Sequence, residues 1–471
     1  MNPEEFRKAG HRLIDWIADY RAGVESRPVM AQTEPGDIKR RLPAAPPSQP
    51  EPFDQILDDV DRQVLAGITT WQHPRFFGYF PSNALPASLL GDYLSSGLGV
   101  IGLAWQSSPA LTEVEEVVVE WMRQMLGLSD RWSGVINDTA STSTLVALLC
   151  ARERASNYSL SRGGLQGEDR PLVVYTSSQS HSSVEKAALL AGFGKHNVRL
   201  VPHDGVYAMR PDALASAIAD DLANGRRPCA AVATSGTTTT TAFDPIESIA
   251  QVTTQHRVWL HVDAAMAGSA MILPECRHLW EGVENADSVI VNAHKWLGAV
   301  FDCTLYFVRD PEHLVRVMST NPSYLQSAAD GRVKNYRDWG LPLGRRFRAL
   351  KLWFLIREQG VAGLQARLRR DLENAKWLAA EVGKASHWKV LAPVTLQTVC
   401  VRHAPPGLGG DALDRHTLQW ASRVNQSGEA YVTPALLDGR WFVRISIGAE
   451  LTERHHVEQL WRMINEIVRD R

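Results

Sequence analysis

The sequence predicts an α/β protein: a large, mainly parallel sheet of seven strands, an N-terminal helical segment and a small α+β C-terminal domain. Three observations predict it. Short apolar, often β-branched runs recur at residues 134–136, 172–175, 198–201, 230–233, 258–262, 288–291 and 304–308, the pattern of strands covered on both faces. Stretches of helical spacing separate them, the alternation that winds a parallel sheet. Several runs end abruptly in polar residues, and the C-terminal edge of an open α/β sheet is where ligands bind. The boundaries fall at 1–85 (helical segment), 86–348 (sheet domain) and 349–471 (small domain).

With 471 residues the chain is long enough for two or three domains and a large core. Apolar residues make up 44%, and 50 Lys+Arg nearly balance 52 Asp+Glu, so no basic surface for nucleic acid or membrane is expected. Met1-Asn-Pro-Glu-Glu lacks the basic and apolar regions of a signal peptide, and no apolar run approaches a membrane span. Cys150, Cys229, Cys276, Cys303 and Cys400 are scattered without a CxxC pair. That favours a reducing cytoplasm over a disulfide framework or a metal site.

Taken in order, Asn2-Pro3-Glu4-Glu5 reads as a helix start, with Asn as N-cap and Pro at the first helical position. Phe6, Ala9, Leu13, Trp16, Ile17 and Tyr20 then recur at helical spacing and make one apolar stripe. Pro43-Ala-Ala-Pro-Pro-Ser-Gln-Pro-Glu-Pro52 is too proline-rich for helix or strand and separates this helix from a second at 53–65. Trp71, His73, Phe76, Phe77, Tyr79, Phe80 and Pro81 form a dense aromatic cluster, most of which reads as core.

Within the sheet domain, Asp138-Thr-Ala-Ser-Thr-Ser-Thr144 leads into a helix at 145–155. Small hydroxyl residues at a helix N-terminus offer free N–H groups and a favourable dipole to a phosphate, although many such loops only cap their helix. His181 follows the 172–175 run and a polar turn. Gly236-Thr-Thr-Thr-Thr-Thr241 turns at the sheet's C-terminal edge. The 258–262 run ends in Asp263-Ala-Ala265, where the carboxylate either caps the next helix or serves a ligand. The 288–291 run ends in Asn292, His294 and Lys295. Burial beside Trp296 and Leu297 would disfavour the charged lysine and leave a nucleophilic amine. A lysine and an aspartate at neighbouring strand ends are the two groups a pyridoxal 5′-phosphate (PLP) enzyme needs: an amine for the cofactor aldehyde and a carboxylate that keeps the ring nitrogen protonated.

Residues 318–340 carry Gly and Pro with little apolar periodicity, the composition of a mobile loop over an active site. The small domain is expected to hold helices at 349–358 and 363–382 and strands at 388–391 and 398–402. A break at Pro405-Pro-Gly-Leu-Gly-Gly410, a helix, a hairpin-like pair at 430–432 and 441–447 and a last helix at 453–468 complete it. Arg444, on an apolar strand, should be paired, because a lone buried charge is costly. No G-x-S-x-G elbow is present, so a serine hydrolase is not supported.

His261-Val-Asp-Ala-Ala and Asn292-Ala-His-Lys-Trp stand in order with Trp71-Gln-His-Pro, Tyr79-Phe-Pro, Trp105, His181-Ser-Ser, Gly236-Thr-Thr-Thr, Asn321-Pro-Ser-Tyr-Leu and Pro342-Leu-Gly-Arg-Arg-Phe-Arg. Together they resemble the group II PLP-dependent amino-acid decarboxylases, closest to the bacterial aromatic L-amino-acid (DOPA-type) enzymes, over nearly the whole chain. The resemblance implies the fold type I, PLP-dependent transferase-like architecture. It implies that Lys295 binds the cofactor aldehyde, Asp263 the ring nitrogen, and that His181 and Ala265 lie on opposite ring faces. Thr139, Ala140, Ser141, Ser288 and Asn292 are the phosphate candidates, Thr238 lies near a cofactor oxygen, and His294 contacts phosphate or substrate. Tyr324 is implied to protonate the substrate α-carbon after carbon dioxide leaves; relatives with Phe there make an aldehyde. Trp71, Tyr79, Phe80 and Pro81 would border the substrate pocket, and Ile101 and Leu103 would enter it from the partner of a homodimer that shares its active sites. Leu103 departs from relatives that carry an aromatic there, and Gly344 matches the aromatic-specific members. The expected activity is decarboxylation of aromatic L-amino acids, L-DOPA first, ahead of 5-hydroxytryptophan, tryptophan, tyrosine and phenylalanine. An aldehyde synthase and a non-catalytic PLP-binding homologue are the alternatives.

Overall fold

The computed structural model describes residues 1–320 and 329–469. By their contacts, residues Ser82–Glu373 with Ala392–Thr398 make one compact unit; Met1–Pro81, Asn374–Leu391 and Val399–Arg471 make the other.

The N-terminal part opens with helix α1 (Pro3–Ala22), followed by α2 (Asp37–Arg41) and α3 (Phe53–Asp59). The start of α1 is as expected: the Asn2 side chain accepts from the Glu4 and Glu5 amides, and the Glu5 carboxylate accepts from the Asn2 amide. This reciprocal box satisfies the orphan donors of the first turn. None of the 20 residues of α1 is buried.

The sheet unit runs through α4 (Pro86–Leu98), α5 (Pro109–Leu126), β1 (Ser133–Asn137), α6 (Ala140–Ala155), β2 (Leu172–Ser177), α7 (Ser182–Leu190), β3 (Val198–Val201), α8 (Pro211–Ala223), β4 (Arg227–Thr234), α9 (Ile246–Gln255), β5 (Trp259–Asp263), β6 (Ser288–Asn292), β7 (Thr304–Val308), α10 (Pro311–Met318) and α11 (Ala349–Lys384). All seven expected strands form, in the order β1-β7-β6-β5-β4-β2-β3. Only β7 runs against its neighbours: it is antiparallel to both β1 and β6, and the remaining pairings are parallel. Every residue of β2, β5, β6 and β7 is buried, which explains why these runs are continuously apolar rather than alternating. Helix α11 is interrupted at Gly360, whose φ of 61° and ψ of 168° only glycine adopts cheaply.

The other unit ends in β8 (Trp388–Val390), β9 (Thr398–His403), α12 (Gly410–Gln426), β10 (Thr433–Leu437), β11 (Arg440–Ser446) and α13 (Arg454–Arg469), with a four-stranded sheet ordered β10-β11-β9-β8. The first hairpin strand is β10, not the expected 430–432. Its turn is Asp438-Gly439, both at positive φ (49° and 74°), the two-residue geometry whose twist matches antiparallel strands. Pro434 argues against a central strand from sequence, yet β10 is an edge, where a missing N–H is tolerated.

Candidate active site

Parallel pairing sets the ends of β4, β5 and β6 side by side: Thr234 opposite Asp263, and Asp263 opposite Ile290. Asp263 closes β5 and is buried, and its Oδ1 accepts the Ala265 amide at 3.1 Å, so the carboxylate is fixed by its own turn. Lys295 lies in the π-type turn Ala293–Leu297 that follows β6, with φ −100° and ψ −116° inside that turn. His181 is the N-cap of α7, and its Nδ1 accepts from the Ser183 amide at 3.1 Å and lies 2.7 Å from the Ser183 hydroxyl. With Nδ1 accepting, the ring proton resides on Nε2. Burial lowers the imidazole pKa first and the Lys295 charge lowers it further, while the Asp263 carboxylate opposes both. The two charges expected to bind the cofactor therefore both act on His181, which is neutral at pH 7.

The phosphate candidates divide. Thr139 is the N-cap of α6 and its hydroxyl accepts the Thr142 amide at 3.4 Å; the first-turn N–H groups of Ala140 and Ser141 have no helical acceptor. Asn292 joins this loop through Thr304, whose hydroxyl lies 2.9 Å from Asn292 Oδ1 and 3.0 Å from the Asp138 carbonyl. Because Oδ1 is the acceptor there, the Asn292 amide turns its two N–H donors the other way. Ser288 does not join the set. It begins β6, about 13 Å of strand from Asn292, and its buried hydroxyl lies 3.1 Å from Trp259 Nε1 and 2.8 Å from His261 Nδ1. The resemblance carried Ser288 along with its strand, and the strand's direction removes it.

Thr238 sits half-buried in the turn after β4, and Ala265 half-buried after Asp263. His294 receives the Cys303 amide on Nδ1 at 2.9 Å, which ties the lysine turn to the approach of β7. Burial, aided by the Lys295 charge, pulls its pKa to about 4, so this ring too is neutral. Ile101 and Leu103 pack on Gly344 of the same chain: a Cβ at Gly344 would stand 3.5 Å from Ile101 and 3.8 Å from Leu103, in a segment held by paired backbone bonds between Gly102 and Arg345. Tyr324 lies outside the described residues, as does much of the expected loop.

Trp71, Tyr79, Phe80 and Pro81 belong to the other unit. There Trp71 stacks on Tyr79 at 5.3 Å, Tyr79 on Tyr431 at 5.8 Å, and Phe76 on Tyr431 at 5.4 Å. Arg444 donates to the Tyr79 carbonyl at 2.9 Å and covers the Phe80 ring at 4.6 Å, and burial lowers its pKa to about 10. The expected pairing is met only in part: a carbonyl and an aromatic face take up the charge, no carboxylate among the described residues pairs with it, and its Nε and Nη2 are buried without a hydrogen-bond partner.

Sequence reasoning missed Tyr431, which is remote in sequence, and Thr304. The signal for Thr304 was present, since it is the one polar residue of an otherwise apolar strand. The donor set fits PLP: a lysine amine, a buried carboxylate, a neutral imidazole, and an anion cradle of helix N–H groups with an oriented amide.

The conserved-domain model of pyridoxal-dependent decarboxylases matches residues 35–404. Tryptophan decarboxylase 2 of Oryza sativa subsp. japonica is 40% identical, over 99% of this chain and 95% of that protein. The phenylacetaldehyde synthase of Arabidopsis thaliana is 39% identical, over 99% and 96%. Among solved structures, Oryza sativa TDC with PLP and tryptamine superposes with a TM-score of 0.97 at 37% identity, covering 100% of this chain and 99% of that one.

Proposed function

The chain belongs to the pyridoxal-dependent decarboxylase family, and from that membership we propose that it converts aromatic L-amino acids to amines and carbon dioxide, with L-DOPA the first substrate to try. The observation that carries the proposal is the meeting of Asp263, His181 and Lys295 at the C-terminal edge of the sheet, beside the α6 N-terminus and Asn292.

When bound, PLP supplies an aldehyde that condenses with amines and a ring that takes up an electron pair. The amine of Lys295 would hold the cofactor through its aldehyde. Asp263 keeps a proton on the ring nitrogen. Ala140, Ser141 and Asn292 hold the phosphate, and Thr139 sets the first turn that presents them. His181, neutral and with its proton on Nε2, would contact one face of the ring and Ala265 the other, and Thr238 would contact a cofactor oxygen. His294, also neutral, would contact phosphate or substrate. The hydroxyl of Tyr324 delivers a proton to the α-carbon that has lost its carboxylate. Trp71, Tyr79, Phe80 and Pro81 would border the aromatic substrate.

A homodimer completes that pocket with the partner's Ile101 and Leu103. Exposed apolar side chains support it within each unit: Phe6 and Ile14 on α1, and Leu90, Tyr93, Leu94, Leu98 and Ile101 on and after α4. Such a patch calls for a second surface. No helix among the described residues is long and apolar enough to cross a membrane. All five cysteines are buried free thiols, which suits a reducing cytoplasm.

The test incubates PLP-loaded protein with L-DOPA, 5-hydroxytryptophan, tryptophan, tyrosine, phenylalanine and histidine, and follows amine, aldehyde and carbon dioxide by mass spectrometry. Amine from the aromatic substrates is expected, and none from Lys295→Ala. Aldehyde as the main product would move the chain to the synthase reading that the Arabidopsis relative raises and Tyr324 opposes. No product from any substrate would remove the catalytic reading.

A further inference from the structure

We propose that Arg367 and Asp371, one turn apart on α11, are positioning residues that hold Lys295 in its reactive pose by clamping the turn that carries it; this rests on the role given to Lys295 above. The backbone of Lys295 leaves the helical region inside a π-type turn. A sparsely populated conformation persists only where its surroundings over-determine it. Here they do so carbonyl by carbonyl. The His294 carbonyl accepts from the Ser82 hydroxyl at 3.3 Å, that of Lys295 from the Asn83 amide at 3.4 Å, and that of Gly298 from the Leu85 amide at 3.1 Å. Between them, one guanidinium nitrogen of Arg367 donates to both the Trp296 and Leu297 carbonyls, each at 2.7 Å. Five consecutive carbonyls are thus held from outside the turn, and the two shortest contacts come from Arg367.

Asp371 supplies the second arm. Its Oδ2 accepts Trp296 Nε1 at 2.9 Å, and both side chains are fully buried. The indole flanking Lys295 is therefore fixed in position and in rotation about its ring axis. Arg367 and Asp371 stand four residues apart, so they share one face of α11 and act on one turn. Neither is needed to form α11, and burying a cation and a carboxylate here is costly unless both are engaged. Their common target is the backbone and the ring directly after the lysine. The amine's reach toward Asp263 and His181 depends on that backbone.

The test uses the full-length protein with PLP. Arg367→Met removes the first arm; Trp296→Phe keeps an aromatic ring and removes the N–H of the second. Three readouts apply: the PLP dissociation constant by equilibrium dialysis, the pH midpoint of the visible band of lysine-bound cofactor, and the division between kcat and KM. Each variant should weaken PLP binding about tenfold, the weight of one hydrogen bond to a charged group. Each should also displace the band's midpoint by about half a pH unit or more, since the lysine's surroundings change, and lower kcat with little change in KM. Arg367→Lys, which keeps a cationic donor, should recover most of the affinity. A merely structural role would lower thermal stability and leave PLP affinity and the midpoint at wild-type values. That result in Trp296→Phe overturns the proposal even if Arg367→Met does not fold. A wild-type protein with no lysine-bound cofactor overturns the functional reading as well; normal wild type with unaltered variants overturns the clamp alone.

Discussion

Arg345→Met tests how the floor of the site is held. Glu115 of α5 is fully buried, and its Oε1 accepts from the Ile136 amide at 2.9 Å and from Arg345 at 2.6 Å. The same guanidinium nitrogen donates to the Ile136 carbonyl at 2.7 Å, so one ion pair pins α5, β1 and the segment around Gly344 together. Removing the arginine leaves a buried carboxylate with a single amide donor, and breaking a buried pair from one side costs about 3–5 kcal/mol. Protonation limits that cost. A carboxyl of ordinary pKa near 4.3 can be neutralised at pH 7 for about 3.7 kcal/mol and at pH 5.5 for about 1.6 kcal/mol. The variant should therefore lose about 3 kcal/mol or more at pH 7 and roughly half of that at pH 5.5. Glu115→Gln combined with Arg345→Met should restore most of it, because no charge is then left behind. Urea unfolding of the cofactor-free protein at both pH values measures this. A loss below about 1 kcal/mol at pH 7, or one that does not shrink on acidification, would refute the reasoning.

Asn292→Asp replaces the amide donor with a second carboxylate oxygen and should weaken PLP retention by about tenfold to a hundredfold; unchanged dialysis would take Asn292 out of the phosphate cradle. Gly298→Ala imposes a φ of 107° on alanine and sets its Cβ 2.5 Å from Leu85 Cδ1. It should cost about 2 kcal/mol, read as a lowered melting temperature, and an unaltered one would show that the turn relaxes. Stability should also depend on pH. Burial holds His73, His261 and His294 at about 4, so the unfolded chain binds more protons than the folded one between about pH 4 and 6.5, and stability falls as pH falls through that window. Burial lifts Asp244 to about 7 and Asp371 to about 6, which works in the opposite sense. Over these five groups the net near pH 5 is about one proton, or roughly 1.4 kcal/mol per pH unit, and Asp244→Asn should steepen the slope by about one proton. Urea titrations at pH 4.8 and 5.8 that give the variant and wild type the same slope would contradict the assignment of Asp244.

The sequence made the sheet legible because β2, β5, β6 and β7 are buried on both faces and so are written as continuous apolar runs. Asp263 and Lys295 were legible because a strand's last residue and the turn after it are local in sequence. Ser288 misled for a related reason: a residue on the right strand but at its wrong end reads the same until the direction of β6 is known. The hairpin at Asp438-Gly439 carried its own turn signal, which Pro434 and the apolar 430–432 run obscured. Arg367 and Asp371 could not be read at all, because each looks like a surface charge on a long helix and its target lies some seventy residues earlier. The Tyr431 stack with Phe76 and Tyr79 was hidden by a still longer separation.

The reversed strand β7 makes the spacing of the site a local matter. Thr304 is opposite Asn137 on one side and Asn292 on the other. The lysine turn is therefore a closed loop whose two ends are hydrogen-bonded neighbours, while the phosphate-side loop begins on the strand across from the same residue. A parallel β7 would have separated these pieces by a full crossover, free to drift in length between homologous chains. As built, a one-residue insertion between Asn292 and Thr304 has to be absorbed within residues 293–303 or it slides β7 in register, moving Thr304 off both asparagines together. The connections that pass through helices can lengthen without disturbing the chemistry; this one acts as the molecule's ruler.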